Sequence, residues 1–159
     1  MPELGLLGAQ WLPAFILVLT RVSGLFIFAP IFSSRLMPMR VRLLLALALT
    51  LAALPSQVAM PLPTGIVALA ALAIKELVIG SAMGFSVAVV IAAVQVAGAL
   101  VDMQGGFAFA NVVDPMQGTQ ISVLGQVYSL LGSGVLMVTG GHLVIVAGLV
   151  QSFQVVPID

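Results

Sequence analysis

Charge is the first scarcity: the 159 residues include five Lys or Arg and five Asp or Glu, 6% in all, for a net charge of zero. Soluble domains carry about 25% charged residues, so a soluble monomer is excluded. A nucleic-acid interface is not expected either, because it needs a basic patch to displace phosphate counterions. Cysteine is absent, which excludes disulfides, thiolate metal sites and cysteine catalysis while leaving the redox compartment open. The single histidine, His142, has no second histidine or cysteine beside which to build a metal site. It reads as a packing or hydrogen-bonding residue, and neither metal nor cofactor is expected. The phosphate-binding G-x-x-x-x-G-K-[ST], the G-x-S-x-G elbow and H-E-x-x-H are all missing. The chain is therefore not expected to be an enzyme, and energy for any transport must come from elsewhere. No internal repeat and no heptad run is visible.

What remains is apolar: 62% hydrophobic residues and a mean hydropathy of +1.28. Four segments stand out. Leu12 to Phe32 has 21 residues, with Arg21 near its middle, enough for a hydrocarbon core that needs about 20 helical residues. Leu43 to Leu54, between Arg42 and Pro55, has 12 residues and falls short of a bilayer. Ile66 to Val101 has 36 residues, interrupted only by Lys75-Glu76, and is too long for one span. Ile121 to Val150 is rich in glycine. Independent spans in lipid would each be near ~20 residues, so these lengths predict that much of the surface packs against other protein subunits. The expected fold is all-α: a hydrophobic, membrane-associated subunit of broken helices and hairpins within a larger assembly.

Connectors fall at Ser33 to Arg40, Ser56 to Gly65 and Gly105 to Gly118, with Pro38, Pro55, Pro61 and Pro63 breaking the helices. Arg35, Arg40 and Arg42 make the first connector basic, which the positive-inside rule places in the cytoplasm. The N-terminus carries Glu3 where a secretory signal would be basic, and no cleavage site follows Arg21; it is read as retained structure. The C-terminal QSFQVVPID ends without a polar cap, and more chain is expected to follow.

Small residues recur every four positions at Gly80, Gly84, Ala88 and Ala92, a face that lets apolar helices approach closely. Lys75 and Glu76 project about 100° apart on a helix, so each needs a partner elsewhere. A structural ion pair and a proton or ion relay are both open to them. Arg21 has a fork of donors suited to a carboxylate or to helix-end carbonyls. In GGFAFANVVDPMQG, Gly105 and Gly106 are expected to end the third helix, and Asp114-Pro115 to turn the chain into the fourth segment. Phe107 and Phe109 would share one side of an extended stretch, with Met103 and Met116 as adaptable neighbours. An apolar constriction of this type blocks ions by dewetting. An ordinary connector whose aromatics fill a groove is the competing reading.

Thr20 to Thr50, Lys75 to Phe85, Val94 to Gln126 and Gly140 to Ile158 together resemble the FliR family, the flagellar member of the type III secretion export-gate proteins. The likeness covers nearly the whole chain in order, so residues 1–159 are expected to form a single N-terminal export-gate region. It implies a pore-forming core subunit that joins FliP and FliQ subunits in a conical assembly, with FlhB bound to it and FlhA nearby. Unfolded flagellar proteins would pass through that gate, driven by the proton motive force and a separate ATPase. The resemblance further implies the bacterial inner membrane and flagellar basal body, with the gate protruding toward the periplasm. The family's plug-forming loop matches Gly106-Phe107-Ala108-Phe109-Ala110 through Asp114-Pro115, which assigns Phe107 and Phe109 to pore closure and Met103 and Met116 to its surroundings. Gly105, Gly106, Asp114 and Pro115 become its turn. Family members continue past the position of Asp159 with a hairpin resembling FliQ. That part is absent from this sequence, and contacts that depend on it are not carried over. The injectisome branch of the same family is an alternative. A small-solute secondary transporter also competes, with Lys75-Glu76 as midplane charges, as does a scaffold without a pore.

Overall fold

The computed structural model describes residues 3–33, 37–57, 62–63, 65–106 and 122–158, with side chains from residue 10 onward. Every regular element among them is helical: α1 (Glu3–Phe28), α2 (Pro30–Ser33), α3 (Met39–Ala53), α4 (Ile66–Gln104), α5 (Val123–Val138) and α6 (Gly141–Val155), with a short 3₁₀ turn at Leu54–Ser56. The expected all-α architecture is the observed one.

Proline sets the first boundaries. Ala29 precedes Pro30, and a residue before proline is pushed out of the helical region, so α1 stops at Phe28 and Pro30 opens α2 from the first helical position. Ala29 closes the joint by accepting from the N–H groups of Phe32 and Ser33 at 3.0 and 2.9 Å. Phe26 and Phe32 then stack across it, ring centroids 4.4 Å apart.

The second apolar segment is longer than expected. Its helix begins at Met39 and takes in Arg40 and Arg42. With the 3₁₀ turn it makes an apolar stretch of 18 residues, long enough to cross a membrane. The arginines misled because they were taken as connector, whereas Pro38 is the residue that starts the helix: its carbonyl accepts from Val41 and Arg42.

The third segment is one continuous helix of 39 residues, about 58 Å at 1.5 Å per residue, and it runs unbroken through Lys75-Glu76. The fourth divides into α5 and α6, bent by 68° where Gly140 adopts φ 77°, a left-handed conformation costly for any other residue.

α4 is the spine, flanked by α1 and α5. The core gathers on α1, whose Ala14, Leu17, Val18, Val22 and Leu25 recur at three- and four-residue spacing, and on Ala29 just after it. They meet Ala46 and Ala53 of α3 and Leu149 and Phe153 of α6. Burial is uneven: 44% of the apolar window of α1 is covered within the chain against 17% of that of α4. Large exposed side chains such as Ile74, Val78, Phe85 and Val90 line α4. Among the described residues three helices are long and apolar enough to cross a membrane, or four spans if the bent α5–α6 pair counts as one.

Candidate functional site

Arg21, at 0% exposure in the middle of α1, meets Glu76, also 0% exposed, on α4. The contact is bidentate: Nε donates to Oε2 at 2.5 Å and Nη2 to Oε1 at 2.9 Å. The remaining donors reach α6 and the residues after it, Nη1 to Ser152 Oγ at 3.1 Å and Nη2 to the Val156 carbonyl at 2.8 Å. The guanidinium carbon lies 4.2 Å from the centre of the Phe153 ring, a cation–π stack that suits the flat arginine fork better than an ammonium. Three chain segments far apart in sequence are thus tied at one charge pair.

Lys75 parts company with Glu76. Its side chain is 34% exposed, donates to the Pro157 carbonyl at 3.0 Å, and lies 3.9 Å from Glu76 Oε1. Of the three charges expected to be buried, Arg21 and Glu76 are, and Lys75 is not. Adjacent positions on a helix diverge, and here one turns to the core while the other turns to its edge.

The knot depends on close backbones. A Cβ on Gly80 would collide with the Arg21 carbonyl oxygen, and one on Gly84 would stand 2.6 Å from that of Leu25. The four-residue row does not continue in this contact: Ala88 is half-buried and Ala92 exposed, and α1 supplies Gly24 from its own side, where a Cβ would stand 2.8 Å from the Leu77 carbonyl oxygen.

A second close approach joins α4 to α5, where a Cβ on Gly98 would stand 2.8 Å from Gly125 Cα. One turn beyond Gly98, Asp102 is 4% exposed. Its Oδ2 accepts from the Ser122 hydroxyl and from the Leu124 N–H at 3.1 Å. Ser122 Oγ in turn accepts from Gly125 N at 2.7 Å, capping α5. Asp102 Oδ1 is buried with no hydrogen-bond partner among the described residues. α4 ends at Gln104; Gly105 donates to the Val101 carbonyl at 2.8 Å, and Gly106 takes φ 77°. Met103 is 70% exposed. Phe107, Phe109, Asp114, Pro115 and Met116 lie outside the described residues.

His142 is half-buried, its Nδ1 without a hydrogen-bond partner among the described residues. Among the described residues no three His, Cys, Asp or Glu side chains gather as a metal site would require. Sequence reasoning passed over Asp102, Gly98, Ser122, Ser152 and Phe153. Asp102 had a signal, being one of five acidic residues and lying at the end of an apolar run. The partners on α6 had none, because 131 positions separate Ser152 from Arg21.

Comparison with known proteins places this geometry in a lineage. The chain is 36% identical over 149 residues to the flagellar biosynthetic protein FliR of Escherichia coli (strain K12), covering 94% of this chain and 57% of that protein. It is 35% identical over 148 residues to FliR of Bacillus subtilis (strain 168), covering 92% and 57%. To FliR of Pectobacterium carotovorum it is 31% identical over 150 residues, covering 94% and 58%. The chain thus spans a little over half the length of these relatives. The model of the bacterial export proteins, family 1, matches residues 12–159, and the chain belongs to that family.

Proposed function

We propose that this chain is a non-enzymatic core subunit of a flagellar protein-export gate, and that the connection between α4 and α5 helps to close the export path. The observation that carries the reading is the position of Gly105 to Gly118. This apolar, glycine-flanked stretch follows the end of a helix of 39 residues, whose apolar window is 17% covered within the chain, in a protein of an export family. So large an uncovered face, on a helix of about 58 Å against a hydrocarbon core of about 30 Å, calls for protein neighbours as well as lipid. FliP-like and FliQ-like subunits would supply them, with FlhB-like and FlhA-like proteins as further partners in the bacterial inner membrane and basal body. Unfolded flagellar proteins would be the cargo. Phe107 and Phe109 are the proposed closure residues, Met103 and Met116 their adaptable surround, and an apolar seal of this kind stops ions while yielding to a passing polypeptide.

The test is ion leak in resting cells. Deleting residues 107–109 from the protein expressed at its natural locus should raise membrane conductance while the protein remains assembled. Unchanged conductance with normal assembly would remove the closure role. The transporter reading has less support: a crevice of about 610 Å³ between α2–α3 and α5 is lined by apolar groups and the hydroxyls of Ser129 and Ser133, too few polar groups to orient a charged solute.

A further inference from the structure

We propose that Asp102 is the positioning residue that fixes where α5 starts relative to where α4 ends, and so sets the two anchor points of the connection between them. The consequence for the seal rests on the closure role proposed above; the positioning itself does not.

A carboxylate within a long apolar helix has to be held by donors, because an unpaired charge in low dielectric is strongly disfavoured. Asp102 meets that demand on another helix. Its Oδ2 takes the Ser122 hydroxyl and the Leu124 N–H, and the first N–H groups of a helix have no intrahelical acceptors and carry partial positive charge. The reach across is short because Gly98 and Gly125 bring the two backbones into contact one turn away. Ser122 is satisfied in both directions, donating to Asp102 and accepting from Gly125. If α5 slid along α4 by one residue, the hydroxyl and the Leu124 N–H would both be out of register with the carboxylate. An ordinary N-cap would need Ser122 alone, whereas here the cap is itself tied to the helix before the connection. Both bonds fall on one oxygen, and Oδ1 is buried with no partner among the described residues. Its donors are neutral, whereas Glu76 faces a guanidinium, so breaking the clasp strands no second charge.

The absence of cysteine makes the positioning directly measurable. Gln104 and Val123 are exposed and flank the clasp, so Gln104→Cys and Val123→Cys place a spin-label pair across it, any cysteine elsewhere in the assembled protein being replaced by serine. Asp102→Ala should raise the population with α5 displaced about fivefold, the usual scale for a lost cap, seen as a broadened distance distribution. Asp102→Asn keeps an acceptor oxygen and should largely restore the narrow distribution. Should Asp102→Ala fail to assemble, Ser122→Ala removes the hydroxyl alone and should broaden the distribution less. An unchanged distribution in an assembled Asp102→Ala or Ser122→Ala protein overturns the inference.

Ion leak is read in the same variants beside the 107–109 deletion. Leak from both the deletion and Asp102→Ala supports the link from clasp to seal. Leak from the deletion alone, with the distances broadened, overturns that link. No leak from the deletion overturns the closure role and leaves the distances to decide the clasp.

Discussion

α4 carries a buried carboxylate near each end, and the two are treated differently. Glu76 has both oxygens held by one guanidinium, which is itself stacked on Phe153 and bonded to Ser152 and the Val156 carbonyl. Asp102 is held by a hydroxyl and a backbone N–H, both on one oxygen. The first site joins three segments and sits in the core. The second joins two consecutive helices at the edge of the connection proposed to seal the gate. A fully satisfied buried pair locks its surroundings, because removing either partner strands a charge. A carboxylate held by neutral donors sets a position with no partner charge to strand. The same helix therefore has a rigid end and a less firmly held one.

The sharpest way to break this contrast is to remove Arg21. Arg21→Ala strands Glu76 and should destabilise the protein by about 3–5 kcal/mol, read as lost yield and a lowered unfolding temperature in detergent. The double substitution Arg21→Met with Glu76→Leu should recover most of that loss, because apolar replacement of a buried pair is often neutral. Recovered folding without recovered export would give the pair a role in ion movement as well as in structure. Gly80→Val comes next. Its side chain must force α1 and α4 apart at the Arg21 carbonyl, for about 1–3 kcal/mol. Disulfide trapping between cysteines introduced on the two helices should slow accordingly.

At the other end, Ser122→Ala should cost about 1 kcal/mol and leave the unfolding temperature nearly unchanged. If it destabilised the fold as much as Arg21→Ala, the two ends would not differ as described. Lys75→Met should have the smallest effect, within about 1 kcal/mol, because a third of the side chain is exposed and its contact with Glu76, at 3.9 Å, is loose. A loss of export from Lys75→Met with the fold intact would show that the lysine serves a partner.

Of this contrast the Glu76 end was legible in the sequence and the Asp102 end was not. Arg21 and Glu76 are conspicuous in apolar runs, and Gly80 and Gly84 mark a close helix contact by spacing alone. That they belong to one site was not legible, since helical periodicity describes one face and says nothing of which distant helix covers it. Ala88 and Ala92 continued the spacing without continuing the contact, because the close approach of α1 to α4 is limited to the stretch around Gly24, Gly80 and Gly84. The start of α3 was misplaced because arginine reads as connector in an apolar chain, although it is a good helix former and the Pro38 carbonyl begins the hydrogen-bonding. Asp102 stands out only as a carboxylate at the end of an apolar run, and nothing in the sequence ties it to Ser122, 20 positions on. The residues of that stretch, Phe107, Phe109, Asp114, Pro115 and Met116, lie outside the described residues, so their part in the account stands on sequence and resemblance.

The central claim, that this chain is built into an export gate, is tested most directly by native mass spectrometry. The tagged protein would be expressed from its natural locus together with its genomic neighbours and gently solubilised. The account predicts a defined heteromeric particle containing FliP-like and FliQ-like subunits. A stable monomer or homodimer, with those neighbours expressed and unbound, would contradict it.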